Sequence, residues 1–235
     1  SIGGATDAGR FADGEPASFH FRAAIHEPGD RHILGRRYAD DGLAQGRAVL
    51  RDLALHPATA RHLAHKLVRH IVADEPPDDL VAKLADVYLD AGGELRPVYA
   101  ALIDDERAWR MPPAKYKTPH ELVVSAYRAL AAEPDNARRI TGGLDTLGQV
   151  PWRPGSPAGW PDSAAEWGGA DALYKRIEWV SAAARIAGRR ADPVIVGDGA
   201  LGAALTARTR QAVSRAESTT QGLAILLASP DFQRR

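Results

Sequence analysis

The densest run of reactive side chains follows His56-Pro57. A helix opening at Pro57 places Ala60, Leu63, Ala64, Leu67 and Ile71 on an apolar face. His62, His65 and Arg69 then lie on the opposite, solvated side. Thr59, Lys66 and His70 fall along one edge of the apolar face, and His56 sits near that edge at the helix start. Imidazoles and an amine at the border of a core can line a cleft and do acid–base or nucleophilic work. With His26 they form the candidate catalytic set: His26, His56, Lys66 and His70. The plainer reading is that Lys66 and His70 hydrogen-bond neighbouring loops or cap helix ends.

A second group, His20, His26, Asp30 and His32, lies in a glycine-rich stretch. Imidazole plus carboxylate suits zinc, or iron with open positions, which makes His20, His26 and Asp30 the metal candidates. Their spacing matches no metal motif and there is no HExxH, so no metal and no cofactor is expected. A third feature is the segment 150–169, which holds Trp152, Trp160 and Trp167 among prolines and glycines. Those indoles are either a stacking platform for sugar rings or buried pegs that roof the core. The expectation is that Trp160 and Trp167 are mostly buried. Gly197-Asp198-Gly199-Ala200-Leu201-Gly202 satisfies the dinucleotide-loop spacing, but no second strand with a ribose-binding acid follows it. A helix cap at Asp198 explains it better. No phosphate-binding GxxxxGK[ST] loop and no nucleophile elbow is present.

The elements that must hold these residues are helical. Leu43, Leu50 and Leu53 mark one helix, and a second runs from Pro57 to about Ala73 before Glu75-Pro76-Pro77. Leu80 to Tyr88 form a third, stopped by Gly92-Gly93, and Leu95 to Leu102 a fourth. Thr118-Pro119-His120-Glu121 is a cap, a proline at the first helical position and an acidic first turn. Further helices are expected near 136–148, 170–187, 199–214 and 217–228, with 193–196 in a loop. Residues 1–40 are irregular, with at most a brief hairpin from Phe19-His20-Phe21 and Ile25-His26. The expected class is all-α: a single irregular helical bundle over 41–235 with long ordered loops, very little strand, and 1–40 packed on it.

The 235 residues carry 30 basic and 30 acidic side chains and no cysteine. Zero cysteine excludes disulfides, thiolate metal sites and a cysteine nucleophile. Zero net charge argues against a nucleic-acid partner, and no apolar run is long enough for a membrane helix. Only five basic residues are lysine, namely Lys66, Lys83, Lys115, Lys117 and Lys175. The chain begins at Ser1 and its single methionine is Met111, so it is expected to be a piece of a longer protein.

Three stretches together resemble the bacterial family catalogued as domain of unknown function 1800. They are His56-Pro57-Ala58-Thr59-Ala60-Arg61 on through Lys66-Leu67-Val68-Arg69-His70 to Asp74-Glu75-Pro76-Pro77; Gln149-Val150-Pro151-Trp152-Arg153-Pro154 with Gly159-Trp160-Pro161 and Trp167; and Leu226-Leu227-Ala228-Ser229-Pro230-Asp231-Phe232-Gln233-Arg234-Arg235. His26-Glu27-Pro28-Gly29-Asp30 and Leu34-Gly35 add to the likeness, although the family has a lysine where this chain has His32. The piece resembles the C-terminal half of members about twice as long. The resemblance implies a bacterial protein, periplasmic or secreted, found beside a second uncharacterised, sulfatase-like family, and it implies no activity. The expected function is a non-catalytic binding or assembly module of the cell envelope; the alternative is an enzyme, metal-dependent or not, with a His/Lys-lined pocket. Expected partners are the missing N-terminal half or a second copy, a cell-envelope glycan, or a co-exported protein.

Overall fold

The computed structural model describes residues 19, 21–110, 113–133, 136–187 and 191–235. Among them are thirteen α-helices and a single two-stranded sheet, which makes the fold mostly helical, as expected. The sheet is not where the Phe19 to His26 pattern pointed. Strands β1 (Arg31–Ile33) and β2 (Arg36–Tyr38) pair antiparallel across Leu34-Gly35, both with positive φ, while Ala23–Ile25 is a 3₁₀ turn. A two-residue turn with two left-handed residues twists as a hairpin requires. Helix α1 (Leu43–Ala54) anchors this hairpin. Its buried Gln45 amide donates to the carbonyls of Gly29, Tyr38 and Ala39, and Asp52 takes the Tyr38 hydroxyl at 2.8 Å.

Helices α2 (Pro57–Ile71), α3 (Asp78–Asp90) and α4 (Leu95–Ile103) build the first core. Ala60, Ala64 and Val68 of α2 pack on Leu80, Val81, Leu84 and Tyr88, with Val98 and Leu102 behind them. The buried edge of α2 is thus its small-residue edge. Leu63 and Ile71, expected on the core side, are exposed, because the alanines let α3 approach more closely than leucines would. Outward on α4, Leu95, Tyr99 and Ile103 form an exposed stripe at i, i+4, i+8.

After the short α5 (Arg107–Arg110) the chain crosses to a second core. Helix α6 (Pro119–Ala129) opens with a complete capping box between Thr118 and Glu121. It packs with α7 (Ala137–Thr146), and the four-residue α8 (Ala164–Trp167) precedes the long α9 (Ala170–Ala187). The last elements are α10 (Pro193–Leu201), α11 (Ala207–Ser214), α12 (Thr219–Ala228) and α13 (Pro230–Gln233). Leu122, Val123, Ala126, Leu144, Val180, Ala184, Leu223, Leu227 and Phe232 fill the interior.

Helix α10 corrects two expectations. Residues 193–196 are its first turn and not a loop, and Asp198 lies inside it and pairs with Arg210. The cap is Asp192, whose carboxylate accepts from the Val194 and Ile195 N–H groups at 2.8 and 3.3 Å. Asp-Pro at cap and first position outweighs the strand propensity of Val-Ile-Val. Of the glycines in this string Gly197 serves packing: a Cβ there would sit 3.2 Å from both Leu205 and Leu226.

Candidate functional site

The first and third stretches that carry the family resemblance, and Asp162 next to Pro161 of the second, meet at one short segment, Lys115-Tyr116-Lys117. Its backbone pairs with the C-terminal residues: Lys117 N–H donates to Gln233 O at 2.8 Å, and Arg235 N–H to Lys115 O at 2.9 Å. Beneath it the Lys115 ammonium is 1% exposed. It donates to Arg69 O at 2.8 Å, Asp74 Oδ1 at 2.7 Å and Asp162 O at 2.7 Å, with Asp162 Oδ1 at 3.2 Å. An ammonium has three donors, and all three are used. Asp74 also accepts from Ala164 N–H at 2.6 Å. Burial alone would raise the Asp74 carboxyl, but the Lys115 bond, the Ala164 N–H and the nearby charges hold it below its usual value. The lysine thereby ties the α2–α3 loop to the tryptophan loop, on a segment whose backbone pairs with the C-terminal residues.

At the rim, His70 Nδ1 lies 3.1 Å from Asp162 Oδ2, and the imidazole is otherwise exposed. Arg235 donates to His70 O at 3.1 Å and lies 2.7 Å from Glu121 Oε1. On the other side, buried Arg176 donates to Gln233 Oε1 and Lys117 O and stacks 4.5 Å from the Tyr116 ring centroid. Burial lowers the Arg176 guanidinium to about 10, still charged at neutral pH.

Lys117 faces a cavity of about 730 Å³ between α6 and α10, floored by Phe232. His120, Glu121, Val124, Ser125, Arg128 and Ala129 give one wall; Ile195, Val196, Gly199 and Ala200 give the other. Each set recurs at i, i+1, i+4, i+5, so two helix faces form the groove. The Lys117 Nζ lies 4.0 Å from the Phe232 ring centroid, and among the described residues no oxygen accepts a hydrogen bond from it. Burial lowers its pKa to about 8, and the Glu121 charge opposes this only in part. Glu121 is engaged elsewhere, accepting from Thr118 N–H and pairing with Arg235.

The candidate catalytic set does not gather. His56 caps α2, its Nδ1 accepting from Ala58 N–H at 3.1 Å, and it lines a separate cavity with Arg36, Tyr38 and Asp52. His70 is at the other end of the same helix, about 21 Å away at the helical rise. Lys66 is exposed on α2. His26 packs on the Phe21 ring, 3.6 Å from Asp40. Of the metal candidates, His20 lies outside the described residues, and Asp30 is bound by Arg37 and Asp40 N–H. Among the described residues no three His, Asp or Glu side chains gather as a metal site would need. The tryptophans divide. Trp167 is 6% exposed and donates to Pro161 O at 2.9 Å; half-buried Trp160 lies against it; Trp152 is 97% exposed with φ 61°. The three share no exposed face.

The family model described as "Protein of unknown function (DUF1800)" matches residues 3–234. The chain belongs to that family. The match takes in the N-terminal hairpin as well as both helical cores. No curated protein and no solved structure matches the chain.

Spacing in the sequence does not mark Lys115, Lys117 or Asp162 as site residues. A signal was nevertheless present: a chain that meets nearly all its need for positive charge with arginine uses two of its five lysines at 115 and 117. A planar guanidinium cannot direct three donors into the three oxygens around Lys115, and it cannot become neutral near physiological pH as Lys117 can.

Proposed function

We propose that this protein is a binding module of the bacterial cell envelope that takes an anionic, partly apolar small molecule into the α6–α10 cavity. The envelope setting rests on what the family resemblance implies. The observation that carries the binding reading is the Lys117 ammonium, half-buried at the wall of a cavity of about 730 Å³ and, among the described residues, hydrogen-bonded to no carboxylate. A half-desolvated cation is costly, the Glu121 charge at the same wall offsets that cost only in part, and an incoming carboxylate offsets the rest. Arg128 at the same wall adds a second positive charge, while Val124, Val196, Ala200 and Phe232 suit an apolar body. The volume is that of a drug-sized ligand site. Calorimetric titration with 4-phenylbutyrate tests the reading, with 4-phenylbutyramide as the neutral control. Saturable heat from the acid alone, lost in Lys117→Met, supports it. Equal heats from acid and amide, or none from either, overturn it.

A second reading, that the protein is an enzyme, is favoured by the His70–Asp162 pair. A carboxylate 3.1 Å from Nδ1 orients the ring and leaves Nε2 to solvent, which is how a general base is held. Among the described residues no side-chain hydroxyl bonds to that ring. The His70→Gln variant tests the pair: unchanged 4-phenylbutyrate affinity separates it from the cavity.

A further inference from the structure

We propose that Lys117 is a carbonyl-condensing amine, and that the α6–α10 cavity holds an aldehydo- or keto-carboxylate as a reversible imine on its Nζ. This deepens the binding reading above and rests on it.

The geometry separates Lys117 from the other four lysines. Lys83 bonds to Asp105 at 2.9 Å, Lys175 to Asp171 at 2.7 Å, and Lys115 is enclosed by three oxygens. Lys66 projects from α2 into solvent. Lys117 alone combines a cavity wall, partial burial and an amine without an acceptor among the described residues. Its environment enlarges the share of the neutral, nucleophilic form, because burial brings the amine to about 8 against the pull of the Glu121 charge. At pH 7.4 that leaves roughly a fifth of Lys117 neutral, against about a thousandth of an ordinary lysine. The Phe232 ring face 4.0 Å from Nζ attracts the ammonium and so works against its deprotonation, as Glu121 does, and burial outweighs both.

The rest of the cavity supplies what condensation needs. The Nζ lone pair attacks the carbonyl carbon, and the C=O π pair moves onto oxygen. A proton passes from nitrogen to that oxygen, giving a carbinolamine. A second proton delivered to the hydroxyl lets it leave as water while nitrogen forms the C=N bond. His120, which lines the same cavity with its ring exposed, is the group placed to carry these protons. No oxidant or reductant is consumed. Arg128 offers a two-pronged guanidinium to the carboxylate, and Val124 and Val196 accept the apolar part.

Incubation of the protein with 4-phenyl-2-oxobutanoate and sodium cyanoborohydride, followed by intact-mass and peptide mapping, tests the proposal. The expected result is one reduced adduct at Lys117, at least tenfold over exposed Lys66, competed by 4-phenylbutyrate and absent in Lys117→Arg. Its rate should rise with pH toward about 8, as the amine loses its proton, and fall at higher pH, where the proton that expels water and keeps the imine in its reducible protonated form is lost. Equal labelling of Lys66 and Lys117 overturns the proposal. Calorimetric binding of 4-phenylbutyrate without an adduct at Lys117 overturns the imine and leaves the binding reading standing. Neither heat nor adduct overturns both.

Discussion

Replacing Lys115 with methionine should destabilise the protein more than any other lysine substitution. The side chain is 1% exposed and its three donors all go to oxygens at 2.7–2.8 Å. Methionine fills similar volume, so the loss is electrostatic. It leaves the Asp74 and Asp162 carboxylates, both partly buried, beside an apolar chain and strips the Arg69 carbonyl of its partner. Breaking one side of such a pair costs about 3–5 kcal/mol. In a chain of this size each kcal/mol moves Tm by about 2–4 °C, so Tm should fall by roughly 6–20 °C. Lys83→Met is the matched control. Its partner Asp105 keeps bonds from the Arg107 backbone and guanidinium, so the loss should stay under about 1 kcal/mol. Adding Asp74→Asn to Lys115→Met should recover part of the loss, because the uncompensated charge is gone. Scanning calorimetry reads all three variants. A Tm for Lys115→Met within 2 °C of the parent would refute the reasoning.

Two further outcomes follow from the same structure. Trp167→Ala should cost about 3–5 kcal/mol, since the indole is buried and its N–H is bonded to Pro161 O. Trp152→Gly should cost nothing and gain up to about 1 kcal/mol by relieving a left-handed backbone; urea titration of both checks the contrast, and a marked loss at Trp152 would mean that it is packed. Lys117→Met should stabilise the protein at pH 7 by about 1–2 kcal/mol, a figure discounted for solvent from the drop to about 8. The unfolded lysine keeps its proton up to about 10.5 while the folded one loses it near 8, so wild-type stability rises with pH across that window. The variant's advantage should therefore vanish above about pH 10.5, and melting curves at pH 7 and 10.5 compare the two.

Much of the fold was legible because its signals are local. Thr118-Pro119 with Glu121 three residues after the cap, Glu75-Pro76-Pro77, and Gly92-Gly93 at positive φ mark helix ends through backbone chemistry alone. The rotation of α2 was not legible in this way. Its apolar positions are broad enough to serve two faces, and the close approach of α3 to Ala60 and Ala64 decides between them. Helix α10 is hidden for the opposite reason: Val194-Ile195-Val196 has strand propensity, and only the Asp192 cap reveals the helix. The candidate site was half legible. His70 and Asp74 lie in stretches already singled out, yet Asp162 stands 92 residues from His70 and joins it only through folding. Lys115 and Lys117 come together with Gln233 and Arg235 through long-range pairing that no periodicity encodes.

The ionisation of Lys117 in the presence and absence of an anionic ligand tests the account most directly. With 13C-labelled lysine, the five ε-methylene resonances can be followed by NMR from pH 6 to 11 and assigned by substitution. The account predicts one resonance, absent in Lys117→Met, that titrates near 8. It should also shift saturably with 4-phenylbutyrate while that of Lys66 stays still. Lys117 titrating with Lys66 near the ordinary lysine value of about 10.4, and unmoved by the ligand, would contradict it.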